Sequence, residues 1–102
     1  MYRDNVYYSP EKHNLTIVGE VELEAPDYSF YILCIWKERK GRYYLATDSG
    51  CSCPAPFESY YDVKDLTGSL TAKQARTEAT SLWENSGSYL PEEFNKLMTK
   101  VI

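Results

Sequence analysis

Two hydrophobic periods divide this chain. From residue 14 to 47 apolar positions recur every second residue, and from 71 onward every three or four. Phe30-Tyr31-Ile32-Leu33-Cys34-Ile35-Trp36 is uncharged and apolar on both alternating sets. That pattern predicts a strand over 28–37 that is buried on both faces and central to a sheet. Before it, residues 14–24 alternate. Leu15, Ile17, Val21 and Leu23, with Gly19 among them, are predicted to share one face. Thr16, Val18, Glu20, Glu22 and Glu24 take the other, giving a half-buried strand whose acidic row deters edge pairing. Ala25-Pro26-Asp27 reads as a turn. Glu38-Arg39-Lys40-Gly41 reads as a tight hairpin closed by Gly41. A third strand follows over 42–47, with Tyr43 and Leu45 facing one way and Tyr44 and Ala46 the other. Short connections predict antiparallel neighbours in the order 1-2-3.

The flanks read differently. Val6-Tyr7-Tyr8 fits a short edge strand, and Ser9-Pro10-Glu11 turns the chain. Gly50, Pro54 and Pro56 predict an irregular loop over 48–58. Tyr60, Tyr61 and Val63 fit a short strand or a segment lying across the core, and Leu66-Thr67-Gly68-Ser69 reads as a turn. Thr71 and Gln74 form a capping box, followed by the stripe Ala72, Ala75, Ala79, Leu82 and Trp83 and a stop at Asn85-Ser86-Gly87. Pro91 opens a second helix with acids in its first turn and the stripe Phe94, Leu97, Met98 and Val101. The expectation is one α+β domain over 1–102: an antiparallel three- to four-stranded meander, then two C-terminal helices packed on one face.

Composition narrows the function classes. Ten tyrosines in 102 residues suit half-buried sheet faces or an interface. A net charge of −4 argues against broad nucleic-acid binding. Met1-Tyr2-Arg3-Asp4 has no apolar leader pattern, and the apolar runs are too short to span a bilayer. Three cysteines without a leader read as reduced thiols in a cytoplasmic protein with no membrane partner.

Two stretches carry a resemblance. One is Tyr8-Ser9-Pro10-Glu11-Lys12 with Leu15-Thr16-Ile17-Val18-Gly19-Glu20. The other is Ile35-Trp36, the Gly41 hairpin, Ala46-Thr47-Asp48-Ser49-Gly50-Cys51-Ser52-Cys53-Pro54 and Pro56-Phe57-Glu58. Over roughly residues 7–62 the chain resembles a family of small uncharacterised proteins of actinobacteriophages. The resemblance implies a phage-encoded protein acting inside a bacterial cell, and it carries over no catalytic role.

The Cys51-Ser52-Cys53 loop is the foremost candidate for chemistry, with three readings. Both cysteines can pack as small hydrophobes in a proline-stiffened loop. Zinc is an alternative, since Cys34, Cys51, Cys53 and His13 together number the four ligands it needs. However, Cys34 patterns with the core, His13 also reads simply as a strand-entry residue, and no paired CxxC knuckle exists. Thiol chemistry is the third, without a basic cluster beside the loop to activate it. Asp48, Glu58, Asp62 and Asp65 read as caps and Asx-turns. Lys37, Arg39, Lys40 and Arg42 with Tyr43 and Tyr44 could grip nucleic acid weakly, a solvated turn being the plainer reading. With no phosphate-cradling glycine loop and no catalytic set, the sequence points to a non-enzymatic protein without a cofactor that binds a host or phage protein. Its predicted surface is Ser49, Gly50, Cys51, Ser52, Cys53, Pro54, Pro56 and Phe57, with Tyr60 and Tyr61.

Overall fold

The computed structural model describes residues 4–25, 29–51 and 55–102, with the backbone alone for Cys51. The Pro26-Asp27 part of the predicted turn, and Ser52, Cys53 and Pro54, lie outside the described residues. The architecture is α+β. Four antiparallel strands, β1 (Leu15–Glu22), β2 (Ser29–Glu38), β3 (Tyr43–Cys51) and β4 (Thr67–Leu70), form one sheet in the order β1-β2-β3-β4. Helices α1 (Ala72–Asn85) and α2 (Pro91–Thr99) follow.

The uncharged ribbon is inside the sheet, as its two-sided apolar pattern requires. Leu33, Cys34, Ile35 and Trp36 are all fully buried in β2. Its alternation feeds two separate cores. Leu33 and Ile35 point to one face with Leu23, Val21, Tyr43 and Leu45, and α1 and α2 cover it with Ala75, Ala79, Phe94 and Leu97, joined by Val101 just past the end of α2. Ile32, Cys34 and Trp36 point to the other with Leu15, Ala46, Val6, Phe57 and Leu66. Neither α1 nor α2 covers that second face; the N-terminal segment and the 55–66 connection do.

The helix side follows the sequence closely. Thr71 accepts from the Gln74 amide at 3.1 Å, and the Gln74 side chain accepts from the Thr71 amide at 3.0 Å, closing the capping box. Gly87, at φ 103°, ends α1 in a Schellman motif, its amide donating to Glu84 O while Ser88 donates to Trp83 O. Pro91 opens α2. Trp83 and Phe94 stack with centroids 4.4 Å apart, joining the helices. Gly41, at φ 98°, closes the β2–β3 hairpin by donating to Glu38 O at 2.8 Å.

Four expectations are corrected. First, β1 does not keep one apolar face. Ile17 pairs with Trp36 and Gly19 with Ile35, so Val18 is an inserted bulge residue. Leu15 and Ile17 therefore join the loop-covered core, and Val21 and Leu23 join the helix-covered one. Glu20 and Glu22 fall on the Leu15 side. Second, Val6-Tyr7-Tyr8 is a turn rather than an edge strand, with Val6 buried and its amide bonded to Tyr60 O at 2.9 Å. Third, β3 continues through Asp48, Ser49 and Gly50 to Cys51, because Ser29, Phe30 and Tyr31 extend β2 alongside it. Fourth, Thr67–Leu70 is not a turn but β4, pairing Tyr43 with Leu70 and Leu45 with Thr67. Tyr60 and Val63 lie across the loop-covered core, and Val63–Asp65 forms a 3-10 turn capped by Asp62.

Candidate functional site

The loop-covered face is assembled around Phe57. This residue is fully buried, so its expected exposed place is corrected: it anchors the loop layer from beneath. Its backbone stands at φ 59°, a region that costs a non-glycine residue on the order of 1–2 kcal/mol. Two side chains hold it there. Asp48 accepts from the Phe57 amide at 2.7 Å, and the Asn5 amide donates to Phe57 O at 2.7 Å. The ring lies edge-on to Trp36 at 5.7 Å and to Tyr60 at 5.1 Å, and stacks with Tyr7 at 4.9 Å.

Asn5 is the second organiser and is fully buried. Besides its bond to Phe57, its side-chain oxygen accepts from the Tyr7 amide at 2.7 Å and the Tyr8 amide at 3.1 Å. Burying an amide demands such partners. Trp36 adds a third tie, its indole N–H donating to Val6 O at 2.9 Å. One asparagine and one tryptophan thus pin the N-terminal turn and the 55–60 connection onto the same sheet face.

Above these anchors stands a group of tyrosines. Tyr7 meets Tyr8 edge-on at 4.8 Å and donates to the Glu20 carboxylate at 2.5 Å. Tyr8 donates to Pro56 O at 2.8 Å, and Tyr60 to Thr47 O at 2.9 Å. Tyr8 is 39% exposed and Tyr61 47%. Burial, then the bond to Glu20 and its charge, push the Tyr7 phenol well above its usual range. Burial, then the charges of Asp48 and Asp65, push Tyr60 up. Both hydroxyls therefore stay protonated donors.

The predicted site residues divide. Pro56 and Tyr60 stand in this cluster around Phe57, and Tyr61 follows Tyr60 with its side chain exposed, while Ser49 and Gly50 of β3 pair with Tyr31 and Phe30 of β2. Cys51 ends β3 opposite Ser29. Ser52, Cys53 and Pro54 are outside the described residues. Sequence reasoning missed Asn5, Tyr7, Tyr8 and Asp48. The aromatic run Val6-Tyr7-Tyr8 carried the signal, but nothing local tells that Asn5 bonds a residue 52 positions away.

Two members of the zinc set, His13 and Cys51, stand far apart along the sheet, and Cys53 lies outside the described residues. His13 sits at the β1 start, where Leu15 pairs with Glu38, and Cys51 sits at the far end of β2, opposite Ser29. Those ends are about 30 Å apart at strand spacing. The His13 Nε2 bonds Asp4 O at 2.5 Å, which requires the proton on that nitrogen. Cys34 is a free, fully buried thiol whose pKa burial, then Glu20, drive upward. Among the described residues no group of three His, Cys, Asp or Glu side chains is placed to hold a metal ion. Among them too, no helix is long and apolar enough to cross a membrane. The groove between α1 and α2, of about 620 Å³, is lined by Arg76, Trp83, Glu84, Phe94, Met98 and hydroxyl and amide side chains; Arg76 is committed to Val101 O.

The fold and face define a class: a small α+β protein whose meander carries helices on one side and a tyrosine-bearing loop layer on the other. The chain belongs to the DUF7574 family, a domain of unknown function, whose model matches residues 4–102. No curated protein and no solved structure matches the chain.

Proposed function

We propose that this chain is a non-enzymatic binding protein that recognises a host or phage protein through its loop-covered face, inside a bacterial cell. The observation that carries the reading is the pre-positioned tyrosine layer. Tyr7, Tyr8, Tyr60 and Tyr61 stand on loops, yet Phe57, Asn5 and Trp36 fix those loops to the sheet. Rigid aromatic side chains with polar tips give contact area at low entropic cost, as recognition surfaces need. The resemblance over residues 7–62 to actinobacteriophage proteins supports the cellular setting.

The test is affinity recovery from a bacterial host lysate with three forms of the protein: wild type, Tyr8→Ala/Tyr61→Ala, and Cys51→Ser/Cys53→Ser. A partner held by wild type and by the cysteine pair variant but lost by the tyrosine pair is the expected result. Loss with the cysteine pair alone would transfer the role to thiols, and stoichiometric zinc in the purified protein would transfer it to a metal site.

A further inference from the structure

The fold concentrates cationic charge at one end of the molecule. The β2–β3 turn presents Arg39 and Lys40, all its residues from 39 to 42 are exposed, and Lys37 is exposed one step back. The 3-10 turn Pro10–His13 comes alongside, because the Arg39 amide donates to Asn14 O at 3.0 Å. That contact delivers Lys12 and His13 to the same end. His13, Asn14, Glu38, Arg39 and Lys40 enclose a cleft of about 380 Å³ between the two turns.

These cations are not neutralised internally. Among the described residues the one ion pair is Lys96 with Glu93, on α2. Arg42 is engaged with Ser69 O and Oγ, and Lys37 lies 5.5 Å from the Tyr43 ring centroid; Lys12, Arg39 and Lys40 extend into solvent. The acids at this end are Glu11, Glu38 and Asp4, and Glu38 accepts from the Tyr44 hydroxyl at 3.3 Å. In a chain of net charge −4, this end is positive and the remainder correspondingly more acidic.

We infer that this end is a second binding site, distinct from the tyrosine face, and that it takes the phosphate backbone of a nucleic-acid strand. A protein partner is the poorer fit, because a stable protein contact needs an apolar centre and the turn exposes none. A phosphodiester backbone is held by charge and donors alone, which is what Lys12, Lys37, Arg39 and Lys40 supply. The acidic remainder restricts the strand to this end and keeps binding modest.

The experiment is fluorescence polarisation of a labelled 20-nucleotide single strand against the intact protein, at 50 and 200 mM salt. Four phosphate contacts predict affinity falling about 50-fold between the two salts. Arg39→Ala/Lys40→Ala leaves two contacts and shrinks that fall to about 7-fold. Tyr8→Ala/Tyr61→Ala binds the strand as wild type does, which separates this site from the tyrosine face. Circular dichroism confirms that the Arg39→Ala/Lys40→Ala protein is folded; Arg39→Lys/Lys40→Arg, which keeps the charge, restores the salt response. No binding at 50 mM salt, an unchanged salt response in the double alanine variant, equal competition by polyglutamate, or full displacement by millimolar inorganic phosphate would each overturn the assignment.

Discussion

The two faces of the sheet share one strand and are built on different physics. The helix-covered face is a conventional apolar layer. Leu33, Ile35 and Leu45 meet alanines and Phe94, Leu97 and Val101, and polar ties are confined to its margin: the Tyr43 hydroxyl donates to Ile102 O at 2.7 Å, Arg76 donates to Val101 O and the Trp83 indole to Tyr89 O. The loop-covered face has too little regular structure to bury its backbone groups in ladders. It satisfies them with side chains instead: Asn5 and Asp48 serve Phe57, Asn5 serves Tyr7 and Tyr8, and Trp36 serves Val6. The lesson is that a sheet can be covered cheaply by helices or specifically by loops, and that the second choice leaves polar-tipped aromatics at the surface.

The comparison can be broken hardest at the anchors. Phe57→Ala and Phe94→Ala should each lose about 3–5 kcal/mol in urea unfolding, since both remove a buried ring. Their spectra should differ: Phe57→Ala abolishes the near-ultraviolet signal of Trp36 with helix content intact, whereas Phe94→Ala perturbs the Trp83 environment. Equal spectral effects would erase the distinction between the faces. Asn5→Ala comes next, at about 2–3 kcal/mol, because it orphans buried backbone groups. Amide hydrogen exchange should then rise at Tyr7 and Tyr8 while α1 stays protected.

Cys34 gives a pH signature to the loop-covered side. Its folded pKa is raised by burial, so above about pH 8.5 the unfolded thiol loses its proton while the folded one keeps it. The unfolded state then binds fewer protons, and stability falls as pH rises; below that pH this contribution is fully retained. Wild type should lose about 1–2 kcal/mol between pH 7 and pH 10 that Cys34→Ala does not. The smallest effect belongs to the helix side, where Thr71→Ala should cost about 1 kcal/mol by thermal melting and leave the tyrosine layer untouched.

How far the sequence reveals this structure follows the same division. Capping boxes, a Schellman glycine and helical stripes are local signals, and α1 and α2 obey them. The hairpin at Gly41 and the buried ribbon are local too. What the sequence hid is nonlocal. Strict alternation through 15–23 concealed the face change at Val18, because a bulge is set by register against β2. Gly68 and Ser69 looked like a turn because β4 is short and exposed, and its pairing depends on β3. Phe57, flanked by proline and charge, looked like surface; its burial depends on Asn5 and Trp36, neither of which is near it in sequence. Of the residues singled out in the sequence, Pro56 and Tyr60 stand in the tyrosine cluster and Tyr61 is exposed next to Tyr60, with Phe57 moving inside.

The doubled residue at Val18 has a consequence for length variation. Because Ile17 and Gly19 already pair with successive residues of β2, removing Val18 would restore an unbroken ladder with every other partner kept. Removing Ile17 or Gly19 lets Val18 take the vacated place in the ladder, whereas removing a residue farther along would swap the inward and outward parity of part of the strand. The edge strand therefore confines its expendable positions to the bulge at 17–19, and a natural or engineered one-residue deletion that folds should fall there.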